Sequence, residues 1–312
     1  MIERPDIDAL MAGELGDFLQ RQIGVRQAAL ATRRTRFGWS LVFVIPMLGL
    51  LWSQDWGDLR IFLSIALLGV AGFWAHMPVM SAKAETKNGI NSAIAEALGL
   101  EYRAQCEEGH GFIRAKLYHM FPSHDRKAFE DLWCGDMAGH PFTLREVQLT
   151  EQRGSGKNRR TVTVFRGAVI TIGGARDFHG THLLERRGKH RKFFFFGEKD
   201  ELKVDGRTLQ RADMVHPDFE DSFTLFTTDQ TEARYIVHPS YIERLIAIER
   251  AFNGQNIAAL FADGEITIVL KTENMFESGT MEHDRDREMV EMATNQFMAM
   301  ADLCRSMNEE VR

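Results

Sequence analysis

The chain has 312 residues, enough for one large or two small domains with a proper core. It is 44% hydrophobic and 26% charged, with a formal net charge of -6, so charge alone makes no case for nucleic acid as a partner. Three cysteines, Cys106, Cys134 and Cys304, are scattered without metal-ligand spacing, which excludes a disulfide framework and suits a reducing compartment.

Ile7 to about Thr32 has a helical pattern, with Ile7, Leu10, Met11, Leu15, Phe18, Leu19 and Ile23 three or four residues apart. Asp6 after Pro5 fits an N-cap. Such an amphipathic helix docks on a soluble domain, pairs with a second copy or lies on a membrane. Its mixed charges make the last option the weakest.

Phe37 to Trp52 and Ile61 to Met80 carry no charge. A span takes roughly 17–25 predominantly apolar residues. The second segment meets this, and the first is short. Pro46 inside the first is tolerated in lipid. Trp39, Trp52, Trp56 and Trp74 lie in or beside the pair, and only Trp133 lies elsewhere. Indole rings favour the membrane interface, so these four are expected anchors. Arg33, Arg34 and Arg36 precede the first segment, and Lys83 and Lys87 follow the second. The loop Ser53 to Arg60 holds one arginine and two aspartates. The positive-inside rule then places both termini in the cytoplasm. The polar residues before Phe37 argue against a cleaved signal, and Arg33-Arg34 stands one residue too far from Phe37 for a twin-arginine signal. His76, near the cytoplasmic end, reads as a neutral interfacial imidazole.

Ala84 to Leu98 reads as a helix stopped by Gly99, and Phe112 to Met120 as a second. Strands follow: Phe129 to Cys134 and Phe142 to Leu149 around a turn at Gly135–His140, then Arg160 to Ile172, Lys192 to Phe196 and Phe223 to Phe226. Pro239 to Phe252 is helical. Ile257 to Phe261 and Ile266 to Leu270 flank Asp263-Gly264, a strong hairpin signal. Asp284 to about Met307 closes the chain as a helix with a methionine-rich stripe.

No catalytic, cofactor-binding or metal-binding residue emerges. Gly154-Ser155-Gly156-Lys157 lacks the first glycine and the final Ser or Thr of a phosphate loop, since Glu151 and Asn158 stand there. His179 and His182 are spaced so that a strand or turn would aim them apart, with no third metal ligand nearby. Two loops are basic: Arg153, Lys157, Arg159 and Arg160, and Arg186, Arg187, Lys189, His190, Arg191 and Lys192. Near an anionic leaflet each cation is worth about 1 kcal/mol, so these loops are candidate lipid-facing sites. Solvated hairpin tips are the plainer reading. The run Phe193 to Phe196 reads as a strand buried on both faces.

The segment Phe223-Thr-Leu-Phe226-Thr-Thr-Asp229, with Glu232-Ala233-Arg234, leads to Val237-His238-Pro239-Ser240-Tyr241-Ile242-Glu243-Arg244-Leu245. Ala259 to Gly264 and Phe276-Glu277 follow, and Phe165-Arg166-Gly167 precedes. With the helix pair upstream, this resembles the bacterial family known only as domain of unknown function 3137. The resemblance implies an inner-membrane protein with two spans and a cytoplasmic domain. It implies no activity and no site residues.

The expected fold is α+β: an N-terminal transmembrane helical hairpin, then a cytoplasmic antiparallel-sheet domain with flanking helices. The segments are a helix within 1–36, the hairpin at 37–80, a helical connector at 81–125, the β-rich domain with one internal helix at 126–275 and a closing helix at 276–312. The expected role is a membrane-anchored interaction or scaffold module of the bacterial inner membrane. Its partners would be the bilayer and either another protein or a second copy, with no nucleic acid and no cofactor. The alternatives are a membrane-tethered hydrolase or transferase and an anionic-lipid recognition module.

Overall fold

A computed structural model describes residues 4–174, 178–189, 199–212, 222–237, 239–273, 275 and 279–309. Two compact units are distinguished. One comprises residues 6–93 with 277–291, and the other residues 1–5, 94–276 and 292–312.

The first unit is built on two long helices. After a short α1 (Ile7–Ala12), capped by the Asp6 carboxylate, Gly13 breaks the chain. Helix α2 (Glu14–Ser53) then runs for 40 residues, about 60 Å at 1.5 Å per residue. Helix α3 (Leu59–Ala97) returns for 39 residues. The expected breaks between Thr32 and Phe37, and between Met80 and Ala84, do not occur. Arg33, Arg34, Arg36, Lys83 and Lys87 are good helix formers, so the change from polar to apolar is not a structural boundary. The two helices press together where Phe18 meets Gly89. A Cβ at Gly89 would stand 2.2 Å from the Phe18 ring. Lower still, Arg26 and Asp286, each under a tenth exposed, form an ion pair at 3.0 Å. Arg26 Nε also donates to Thr86 Oγ1 at 3.4 Å.

The second unit is a ten-stranded antiparallel sheet. Its strands are β1 (Leu100–Gln105), β2 (Arg126–Met137), β3 (His140–Arg153), β4 (Arg160–Gly173), β5 (His182–Arg186), β6 (Glu201–Val204), β7 (Arg207–Ala212), β8 (Phe223–Thr227), β9 (Gln255–Ala262) and β10 (Glu265–Lys271). They lie in the order β1-β2-β3-β4-β10-β9-β5-β8-β7-β6. The α-helices that follow α3 among the described residues are α4 (His110–Leu117), α5 (Gln230–Ile236), α6 (Pro239–Ala251) and α7 (Asp286–Glu309). On one face Phe112 and Ala115 of α4, with Tyr118 and Met120 beyond it, share a core with Val147, Leu149, Phe165, Val169, Leu260 and Val269. On the other, Trp133 is fully buried against Phe297, with ring centroids 4.2 Å apart, and Tyr241 packs on Phe261.

The α+β class and the antiparallel sheet are as expected, and Asp263-Gly264 joins β9 to β10 as the expected hairpin, with Glu265 paired to Ala262. Several expectations need correction. The stretch Gly135–His140 is mostly strand, with a tight turn at Ala138-Gly139, both at positive φ as the twist of a two-residue hairpin demands. The segment 81–125 holds edge strand β1 as well as helices, because an alternation of six residues is too short to register against its helical flanks. Among the described residues, the region 126–275 holds two internal helices where one was expected, since Asp229 caps the short α5 ahead of α6. The strand expected at Lys192 to Phe196 lies outside the described residues.

Candidate functional site

The helical hairpin has an unusual surface. Among the described residues, the large apolar side chains left exposed are, with four exceptions, those between Phe37 and Met80; the exceptions are Val25, Ile113, Leu117 and Tyr235. Phe43, Phe62 and Val70 are each more than two-thirds exposed. The core helix of a soluble protein buries such a stripe, whereas here the apolar windows of α2 and α3 are only 11% and 6% buried. Trp39, Trp52, Trp56 and Trp74 are all exposed. Two of them clasp arginines of the opposite helix. Arg36 sits over the Trp74 ring at 5.1 Å and donates from Nη1 to the Trp74 carbonyl at 3.1 Å. Near the connecting loop, Arg60 sits over Trp52 at 4.9 Å, and Trp52 Nε1 donates to Ser64 Oγ at 3.3 Å. The sixteen residue steps from Arg36 to Trp52 rise about 24 Å along the helix. His76 is exposed on this same surface.

The basic loops divide. Arg153, Arg159 and Arg160 lie at the exposed tip of the β3–β4 hairpin, where Arg153 Nε pairs with Glu151 at 2.7 Å. The backbone of Lys157 belongs to the single 3-10 turn there. Arg186 and Lys189 are counter-ions within the fold. Arg186 pairs with the buried Glu249 and lies over the Phe223 ring at 4.3 Å, and Lys189 pairs with the buried Glu185. Arg187 N donates to the Ser222 carbonyl at 3.1 Å. His190, Arg191 and Lys192 lie outside the described residues.

A third cluster escaped the sequence. His182, fully buried at the start of β5, places Nδ1 2.7 Å from Thr227 Oγ1 and Nε2 3.0 Å from Glu232 Oε2. The other Glu232 oxygen accepts from His179 N at 2.9 Å, with His179 Nδ1 at 3.5 Å. Gly180 N donates to Glu232 Oε2 at 2.6 Å, an approach that leaves no room for a Cβ, which would lie 2.9 Å from that oxygen. The two histidines therefore converge on one carboxylate, against the expectation that they diverge, because the bend at Gly180 turns the chain between them. Helix α5 supplies Glu232, and Asp229 caps that helix by accepting from Thr231 N and Glu232 N. Among the described residues no group of three or more His, Cys, Asp or Glu is placed to hold a metal ion.

Burial pushes His182 below its ordinary value, only partly opposed by Glu232. Burial alone would raise Glu232, but the N–H groups of His179 and Gly180, and then His182, outweigh it and bring it down. The resting pair is a neutral imidazole, donating from Nε2, and a carboxylate. Both groups bind protons less readily folded than unfolded, so His182's stabilisation is present above its ordinary 6.5 and Glu232's above its ordinary 4.5, each lost as pH falls below that value. Replacing His182 with Gln is expected to flatten the fall in unfolding midpoint between about pH 7 and 5. A fall as steep as the parent's in that variant would remove His182 from this role.

The cysteines are free, and burial pushes the Cys304 thiol up to about 12, so it is inert at neutral pH. A cleft of about 530 Å³ is lined by Phe252, Gln255, Lys271, Glu273, Met275 and Gln296, among others.

Residues 163–309 match the model of a family described as protein of unknown function, DUF3137. The segment Phe165 to Glu277, which carried the resemblance, falls inside that match. No curated protein matches the chain. Among solved structures, the crystal structure of the mycobacterial trehalose monomycolate transport factor A, TtfA, is similar over 68% of this chain and 95% of that one, at 11% identity and a TM-score of 0.33. That likeness is too loose to define a shared fold.

Proposed function

We propose that this chain, a member of the DUF3137 family through residues 163–309, is a membrane-anchored module whose hairpin crosses the cytoplasmic membrane and whose sheet unit binds a protein partner on the cytoplasmic side. The exposure of the apolar surface between Phe37 and Met80 carries the first half of this reading. Water makes such a surface unfavourable at roughly 25 cal/mol per Å², and lipid removes that term. The arginine–tryptophan clasps at both ends suit headgroup depth, where a cation and an amphipathic ring are both at home. The excess of Lys and Arg before α2's apolar stretch and after α3's supports cytoplasmic termini. His182 is fully buried between Thr227 and Glu232, which supports a structural role for that pair within the module.

Cysteine labelling in sealed cells tests the topology. A cysteine replacing the exposed Asp55 should react with a membrane-impermeant maleimide from outside. The half-exposed native Cys134 should react only after permeabilisation. The reverse pattern would invert the orientation, and equal labelling of both before permeabilisation would remove the span.

A further inference from the structure

Among the described residues, strand β1 closes one end of the sheet, with β2 as its strand neighbour on the inner side. An edge strand is a template for another strand, and proteins blunt it with short strands, proline, a bulge or charged side chains that meet no complementary partner. Leu100–Gln105 contains no proline, and its charges are of opposite sign, Glu101 and Arg103. Tyr102 turns inward, its hydroxyl 2.7 Å from Asp131 Oδ1 and its ring 4.9 Å from Trp133. Glu101 and Arg103 therefore share the opposite face, each 59% exposed and paired with each other at 2.7 Å.

We propose that β1 is the edge by which two copies of this chain pair antiparallel, about a two-fold axis at Tyr102. The proposal deepens the reading of the chain as an interaction module by naming its partner as a second copy. Charge selects the register. With Tyr102 opposite the partner's Tyr102, Glu101 faces the partner's Arg103 and Arg103 faces the partner's Glu101. Backbone donors and acceptors stay matched only when the register moves by two residues. One such move sets Glu101 against the partner's Glu101, and the other sets Arg103 against the partner's Arg103. Like charges directly opposite are destabilising. In the favoured register four charges alternate in sign around the axis, and each intrastrand pair is reinforced by the pair across it. The opposite edge, β6, carries Glu201 and Lys203, but it is only four residues long, with its ion pair at 4.0 Å.

The test uses the full-length chain in lipid nanodiscs, with its mass read by light scattering. The parent is expected to be a dimer. Glu101→Arg puts four positive charges on the axis, and Arg103→Glu puts four negative ones there. Each variant is expected to weaken dimerisation by roughly tenfold or more. An equimolar mixture of the two variants is expected to restore dimers, because every facing pair is then opposite in sign. An effect confined within one chain gives no such rescue. Unchanged thermal unfolding of each variant confirms the fold. A monomeric parent overturns the proposal, as do dimers indifferent to both reversals, dimers lost only on reversing Lys203, or a mixture that stays monomeric. Alkaline washing of membranes from the same cells separates this result from the anchoring reading. A chain that washes free yet follows the dimer pattern keeps the edge and loses the anchor, and the converse result does the opposite.

Discussion

Replacing Phe43 and Leu68 together with aspartate is expected to move the chain from the membrane pellet into the alkaline-extractable fraction. Both side chains point outward, at 68% and 53% exposure, and both sit well inside the apolar stretches of their helices. An aspartate at the centre of a span costs about 2.5–3.5 kcal/mol on insertion scales, where Phe or Leu contributes about -0.3 to -0.6. Two such changes shift the balance by about 6–8 kcal/mol, four or more factors of ten in partition. The control is the same chemistry elsewhere. Ile113→Asp with Leu117→Asp changes two exposed apolar residues of α4, 53% and 45% exposed, and should leave extraction unchanged. Equal extraction of both double variants would mean that aspartate acts through general unfolding. No extraction of the hairpin variant would mean that lipid does not surround Phe43 and Leu68.

The second large effect concerns Arg26 and Asp286. Arg26→Met leaves the Asp286 carboxylate buried without its counter-ion, at a cost of about 3–5 kcal/mol. Arg26→Met with Asp286→Leu removes both charges and should restore most of the loss, since a buried ion pair is often replaceable by apolar groups. The pH dependence separates charge from packing. Burial raises the Asp286 carboxyl, and Arg26 pulls it back down. A carboxyl raised on folding favours the folded state below its ordinary value of 3.8, and that contribution is lost as pH rises through the folded value. Without Arg26 the folded value climbs further, so the single variant should be weakest near neutrality and recover on acidification. The double variant should lack that recovery. Unfolding midpoints that fall alike in both variants at every pH would assign the defect to lost packing.

The hairpin was legible in the sequence because uncharged runs and tryptophan placement are one-dimensional signals. The β9–β10 hairpin was legible for a similar reason, since its turn residues stand between apolar runs. The same Asp-Gly pair occurs at Asp205-Gly206 between β6 and β7. It went unread because the flanks, Glu-Leu-Lys-Val and Arg-Thr-Leu-Gln-Arg-Ala, alternate over too few residues and carry too much charge. Strand β5, five residues long, ends in the charged pair Glu185-Arg186 and looks like a loop, although Glu185 is buried and answered by Lys189. The His182–Glu232 pair joins residues fifty positions apart. Only the pairing of β5 with β8 and the cap of α5 bring them together, and neither leaves a mark in local spacing. The unbroken α2 and α3 were missed because polarity was taken as a boundary, and arginine and lysine continue a helix about as readily as leucine does.

The strand order has a consequence for synthesis. Strand β4 is flanked by β3 and β10, and β10 begins at Glu265, some ninety residues after β4 ends at Gly173. At about 5–20 residues per second, the outer edge of β4 waits roughly 5–20 seconds for its neighbour. Through that interval the hairpin and β1 to β4 already exist, and the centre of the sheet does not. The last-made strands are inserted into the middle rather than added to the rim. The nascent chain therefore carries a long, apolar, unpaired margin through about ninety residues of elongation, and the step that completes the sheet is also the one that conceals it.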